Sequence, residues 1–212
     1  MNPLRRLLRK AYTRFAASSR RGKFDLFESL LHIDSSTTVL DVGFSKRFVH
    51  QYILEDHLPP EIPIVGGEID EKAVRETIPL YPQVTAVVFD ACHLPFADKS
   101  FDVVYSNAVI EHVGDREHQQ LFADEVRRVG RAWFVTTPNF WFPVDTHTSL
   151  PFVHWLPKRW RLPVFRSVGR QGDLTLLTRG QLQKLFPECT VMHLRTTIFP
   201  EVLIAYEGQR DC

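Results

Sequence analysis

Short apolar runs alternate along this chain with stretches in which apolar residues recur every three or four positions. TTVLDVG (37–43), PIVGGEID (63–70), VTAVVFDA (84–91) and FDVVYSN (101–107) are rich in β-branched and aromatic residues and end in turn residues, the signature of strands. The pattern predicts strands over 37–42, 62–68, 84–89, 101–106 and 131–137. It predicts helices over 46–56, 70–78, 115–129 and 179–187, the third carrying Leu121, Phe122, Val126 and Val129 on one face. TVMHLRTTIF and EVLIAYE read as a closing hairpin with Pro200 in its turn. Strands alternating with helices define an α/β class: a doubly wound, mostly parallel seven-stranded sheet with helices on both faces and an antiparallel C-terminal hairpin.

Two segments depart from that rhythm. At the N-terminus, Leu4, Leu7, Leu8, Ala11, Tyr12 and Phe15 fall at helical spacing with a cationic back, and a second helix is predicted from Lys23 to His32. Residues 1–33 thus form a basic helical cap ahead of a main domain at 34–212. Between Thr136 and Arg179 the period is lost in a stretch with five prolines, three tryptophans and two histidines. So long an irregular segment at a strand's carboxyl end reads as a substrate or lid insertion, at about 138–178.

Composition narrows the setting. With 212 residues, 44% hydrophobic and 24% charged, the chain suits one globular domain with decorations. The net charge of +1 hides an asymmetry: residues 1–24 hold eight basic residues and no acid, leaving 18 basic against 25 acidic residues in the rest. Such a head fits a helix packed over the sheet edge with its charges in water. It also fits weak association of residues 1–23 with anionic membrane, or docking on nucleic acid. The acidic body and the lack of a basic stripe beside the expected pocket disfavour nucleic acid. Three cysteines with no CxxC pair argue against a disulfide framework, no apolar run is long enough to span a bilayer, and the first residues lack a signal-peptide core; the expectation is a cytoplasmic protein. No pattern in the chain specifies an oligomeric state.

In an open α/β sheet, ligands sit outside the carboxyl ends of the strands, where Asp41, Glu68, Asp90 and Asn107 would converge. A dinucleotide loop would read GxGxxG after the first strand. Here Gly43 is present, but Ser45 and Arg47 take the next two glycine-like positions, which disfavours a pyrophosphate cradle. A nucleoside needs less backbone exposure, and an acid at Glu68 can accept both ribose hydroxyls while repelling a 2′-phosphate.

Taken together, VLDVG, the acid ending the second strand, FDACHLPFADKSFDVVYSNAVIEHV and a strand ending in TTPN resemble the class I S-adenosylmethionine-dependent methyltransferases, small-molecule branch, over roughly residues 37–140. The resemblance implies a Rossmann-like fold, S-adenosyl-L-methionine as cofactor and methyl transfer to a small acceptor at oxygen, nitrogen or carbon; the aromatic residues Phe140, Trp141, Phe142, Phe152, Trp155 and Trp160 of the insertion favour a hydrophobic or planar one. Asp41 and Gly43 match the first family motif beside the methionine part of the cofactor. Glu68 matches the ribose-binding acid, Asp90 with Ala91 the adenine-binding pair, and Ser106 with Asn107 the end of the fourth strand near the methyl donor. A catalytically silent module that kept the fold after losing its glycine loop is the competing reading, resting on Ser45 and Arg47.

Each of these residues has a plainer use. Asp41 and Asp90 would serve equally as caps and Glu68 as a solvated turn residue. His112 and His147 are the residues expected to act on the acceptor, with His154 a further candidate, because imidazole titrates near neutral pH. The alternatives are a helix-start histidine for His112 and a loop histidine held by Asp145 for His147. Asp145, His147 and His154 match no regular ligand spacing, so no metal is expected.

Overall fold

The computed structural model describes residues 3–45, 53–168, 174–195 and 197–208, the side chains of 3–16 apart. Seven strands form one sheet: β1 (Val39–Val42), β2 (Ile64–Glu68), β3 (Val84–Val88), β4 (Phe101–Asn107), β5 (Gly130–Pro138), β6 (Thr190–Leu194) and β7 (Val202–Glu207). Their order is β3-β2-β1-β4-β5-β7-β6. All neighbours pair in parallel except that β7 runs antiparallel to β5 and β6. The helices are α1 (Pro3–Leu30), α2 (Glu71–Thr77), α3 (Arg116–Val129), α4 (Lys158–Ser167) and α5 (Arg179–Leu185). From β1 the chain winds outward to β3 and then crosses back to β4 on the other side of β1. That reversal opens a crevice at the carboxyl ends of β1 and β4.

The pleat sorts the core into two layers. Val39, Val103, Tyr105, Phe134 and Ile204 face α1, packing with Phe24, Phe27 and Leu31. Leu40, Val42, Val104, Val135 and Leu203 face the other way, against Phe122 and Val126 of α3 and Leu182 and Phe186 of α5. Consecutive strand residues thus serve opposite layers, which is why these strands are apolar throughout rather than alternating.

Sequence and structure differ at three places. The two expected N-terminal helices are one, since nothing between them breaks a helix, and Gly22 lets α1 approach β6: a Cβ there would lie 3.3 Å from Leu194 Cδ1. The helix expected over 46–56 falls mainly on residues 46–52, outside the described residues, and its described end is a single 3₁₀ turn, Leu54–Asp56. The irregular insertion contains α4, masked in the sequence by Pro157 before its first turn and Pro163 inside it.

Helix starts are set by side chains that accept orphan N–H groups. Asp70 caps α2 through Lys72 and Ala73, Asp115 caps α3 through Glu117 and His118, and Thr178 forms a capping box with Gln181 on α5.

Gly67 marks the closest approach of β2 to its surroundings. A Cβ there would sit 2.3 Å from the carbonyl oxygen of Val87 and 2.3 Å from the Phe89 ring. Gly67→Ala is expected to destabilise by about 2–3 kcal/mol in urea denaturation, because backbone cannot yield as a side chain can. A variant within about 0.5 kcal/mol of the natural protein would show that β2 and β3 are not packed this tightly.

Candidate functional site

The carboxyl edge is built in register. Val42 pairs with Gly67 on one side and Ser106 on the other, so the next residues, Gly43, Glu68 and Asn107, form one row across β1, β2 and β4. Gly43 turns with φ +107°, and a Cβ would collide with Val109 at 2.5 Å; its N–H and that of Phe44 both donate to the Gly67 carbonyl (2.8 and 3.1 Å). The loop entry is therefore fixed and needs glycine. Glu68, half-buried, accepts the Asp70 N–H at 3.1 Å, and next to it Ile69 is 68% exposed. Asp90 follows β3 with its side chain 47% exposed. It accepts the Cys92 N–H (2.9 Å), approaches His93 Nδ1 (3.1 Å) and is held below the usual carboxylate range, chiefly by the Cys92 hydrogen bond. Asp90 thus does cap its turn, while keeping oxygen lone pairs for a further donor. Ala91 stands half-buried between them.

Beyond that row the expected residues divide. Ser106 is fully buried and its hydroxyl donates to the Val42 carbonyl at 3.1 Å. Its side chain therefore fixes β4 to β1 instead of reaching a ligand, because the pleat sends it the opposite way from Asn107. Asp41 is likewise buried, on the α1 side of the sheet with Tyr105, and lies against Glu55. Burial and the Glu55 carboxylate push its pKa well above the ordinary value. Ser45 closes the described part of the loop and Arg47 lies outside the described residues.

Asn107 is where three elements meet. Its Oδ1 accepts the Lys23 ammonium from α1 at 2.7 Å and the Thr136 hydroxyl from β5 at 2.8 Å. Ala108 then turns the chain in the left-handed region, φ 60°, with its N–H on the Thr136 carbonyl (2.9 Å). A non-glycine residue held there at a strand end is the kind of strain that accompanies ligand sites.

Further along, Glu111 is 1% exposed and accepts the Thr137 hydroxyl at 2.9 Å. His147 Nε2 lies 3.6 Å from the other Glu111 oxygen, and the rings of His112 and His147 meet edge-on at 5.1 Å. His147 belongs to a turn closed by the Val144–Pro151 bridge, in which Asp145 Oδ1 accepts the His147 N–H at 2.8 Å. Burial works against the Asp145 carboxylate, but the hydrogen bonds from His147 and Thr148 outweigh it and keep its pKa low. His154 is engaged elsewhere: its buried ring meets the Phe140 carbonyl at 3.1 Å, which also accepts the Trp155 indole N–H at 2.7 Å.

The side-chain roles of Lys23, Thr136 and Thr137 are not visible in the sequence: Lys23 sits in a basic run that looks like solvated surface, and the two threonines enter only as the end of the TTPN strand. A cavity of about 520 Å³ is lined by Leu31, Asp34, Leu58 and Ile62 at the amino ends of β1 and β2. It lies at the wrong end of the sheet for the ligand crevice.

Against this geometry, the chain can be compared with known proteins. Residues 40–132 match the family model described as a methyltransferase domain. A 2-methyl-6-phytyl-1,4-hydroquinone methyltransferase of Synechocystis sp. is 30% identical over 159 residues, covering 69% of this chain and 48% of that protein. A probable S-adenosylmethionine-dependent methyltransferase of Mycolicibacterium smegmatis is 28% identical over 114 residues, 54% of this chain and 43% of that protein. The chain thus spans less than half the length of these curated relatives. Among solved structures, a SAM-dependent methyltransferase from Methanosarcina mazei superposes with a TM-score of 0.57 at 16% identity, covering 87% of this chain and 98% of that one. A protein from Pyrococcus horikoshii gives 0.61 at 16% identity, covering 88% and 87%; these two likenesses concern the fold. With its strand order, edge residues and matched domain, the chain belongs to the class I S-adenosylmethionine-dependent methyltransferases.

Lys23 provides a test of how the site is packed. Burial, reinforced by Arg20, lowers its pKa from 10.5 to about 8, with Glu111 and Glu201 opposing. Between pH 8 and 10.5 the unfolded chain binds more protons at this lysine than the folded one, so stability rises with pH across that window. The natural protein should gain roughly 3 kcal/mol relative to Lys23→Met from pH 8 to 10.5 in denaturant titrations, and parallel curves would place Lys23 in solvent.

Proposed function

We propose that this chain transfers the methyl group of S-adenosyl-L-methionine to a small hydrophobic acceptor that carries a hydroxyl. The observation that carries the reading is the row of Gly43, Glu68 and Asn107 with Asp90 beside it, at the one edge where a doubly wound sheet binds ligands. These residues fit the cofactor. Gly43 keeps the loop backbone open where a side chain would clash, Glu68 offers a carboxylate to ribose hydroxyls, and Asp90 with Ala91 offers an acceptor and a backbone to adenine. Exposed Ile69 gives the base an apolar face, and Asn107 and Asp41 stand toward the methionine end, Asp41 by bracing the strand from beneath and Ser106 by tying it to β1. The bound sulfonium supplies a methyl group already activated for displacement. What the protein adds is alignment, since holding the acceptor in line at about 3 Å provides much of the acceleration.

On the acceptor side stand Glu111, His112 and His147, and the acceptor's proton would leave there. The insertion presents Trp141, Phe152, Trp155 and Trp160 partly to solvent, surfaces suited to an apolar or planar molecule. The relative named as a hydroquinone methyltransferase supports the same class. Residues 1–33 act in this reading as a basic helical cap on the domain at 34–212, the insertion at 138–178 covers the acceptor, and residues 1–23 associate weakly with anionic membrane. No described helix is long and apolar enough to cross a membrane. Buried free Cys92 and Cys189 fit a reducing cytoplasm.

Isothermal titration of the purified protein with S-adenosylmethionine should show micromolar binding, weakened about 10–100-fold in Glu68→Ala, the equivalent of hydrogen bonds to a charged group. A folded protein that gives no heat at millimolar cofactor would favour the silent module instead.

A further inference from the structure

We propose that Glu111, His112 and His147 bind a divalent cation of the zinc type, which holds the acceptor's hydroxyl oxygen beside the methyl donor. This rests on the methyltransferase reading for its role but not for its existence. One ligand atom from each residue can be chosen so that all lie within 4.8 Å of one another. They come from two places: Glu111 and His112 follow β4, and His147 is carried over from the insertion by the Asp145 turn.

The second, independent observation is the Glu111 carboxylate itself. It is 1% exposed, and while its Oε2 receives the Thr137 hydroxyl, its Oε1 receives no hydrogen bond among the described residues. The polar atom facing Oε1 is His147 Nε2 at 3.6 Å, too long for a hydrogen bond. Zinc bonds its oxygen and nitrogen ligands at about 2.0–2.2 Å, so two ligands across a tetrahedral zinc stand about 3.3–3.6 Å apart. The separation seen is the one a cation spans.

The surroundings of His147 fit the same use. Asp145 Oδ1 lies 3.5 Å from its Nδ1 while holding its backbone N–H. With Thr146 Oγ1 at 3.4 Å as well, Nδ1 is turned to its own turn and Nε2 is left on the Glu111 side, where a metal would sit. Glu111 is buried, His147 half-buried and His112 exposed, so the ligand set runs from core to crevice and leaves a coordination position open on the acceptor side. Three protein ligands with an open position is the arrangement of catalytic zinc, whereas structural zinc is closed by four.

The chemistry balances without an oxidant. Bound to the cation, the acceptor hydroxyl becomes more acidic and gives its proton to water. A lone pair of that oxygen forms the new bond to the methyl carbon, the carbon–sulfur pair returns to sulfur, and the neutral thioether leaves.

The test uses the full chain stripped with chelator and titrated with zinc, and with cobalt as a spectroscopic stand-in. One equivalent should bind, with cobalt giving the visible bands of a four- or five-coordinate nitrogen–oxygen site. Glu111→Gln and His147→Gln should each weaken zinc at least about 100-fold, more than loss of an outer partner does, while His193→Gln on β6 leaves it unchanged. S-adenosylmethionine titrated into Glu111→Gln reports separately on the cofactor site and on folding. Zinc binding that is absent, or equal in all variants of a folded protein, would overturn the proposal and leave Glu111 and His147 as an ion pair, whatever the cofactor titration shows.

Discussion

A single oxygen, Oδ1 of Asn107, sets the geometry of the carboxyl edge. By accepting both the Lys23 ammonium and the Thr136 hydroxyl, it joins the N-terminal helix to β4 and β5 at the point where the sheet reverses direction. Burying an ammonium is expensive unless its donors are met, and here burial holds Lys23 near pKa 8 despite two nearby acids. A lysine kept at that cost ties α1 to the site, so the helix is part of the crevice wall as well as of the hydrophobic layer beneath it. With Oδ1 turned to these donors, the amide nitrogen of Asn107 faces the other way.

On either side of Asn107 the edge has different chemistry. Toward β1, β2 and β3 it offers a glycine turn, two carboxylates and an exposed isoleucine, the set proposed to hold a nucleoside with an amino-acid tail. Toward β5 and the insertion it offers a buried carboxylate, two histidines and a rim of tryptophans. The division follows from topology: the first group sits on loops that return immediately to the sheet, whereas the second needs the long excursion after Pro138 to bring His147 back against Glu111. Asp41 belongs to neither group directly. It lies buried beside Glu55 under the sheet.

The sheet was legible because parallel strands buried on both faces are near-continuous apolar runs, and the carboxylates that end them mark its edge. Glu68 and Asp90 reach that edge by strand register, while Ser106, one residue from Asn107, is turned inward by the same pleat. What could not be read were roles created by long-range contact. Lys23 lies 84 positions from Asn107 and resembles its solvated neighbours in the basic head. Likewise the Asp145–His147–Glu111 arrangement exists only because a turn in the insertion brings His147 against Glu111, whereas imidazole chemistry alone made His154 a candidate, and its Nε2 meets the Phe140 carbonyl instead. α4 escaped notice because two prolines punctuate it, one at its start, where proline is tolerated.

Hydrogen exchange with and without S-adenosylhomocysteine, the demethylated product, addresses the central claim most directly, since it reports where a ligand rests without requiring an acceptor. The account predicts slowed exchange in peptides spanning 41–45, 67–73, 89–93 and 106–112, with the amino ends of β1 and β2 unchanged. Protection confined to the cavity around Leu31 and Ile62, or none at the carboxyl edge while the ligand binds, would contradict it.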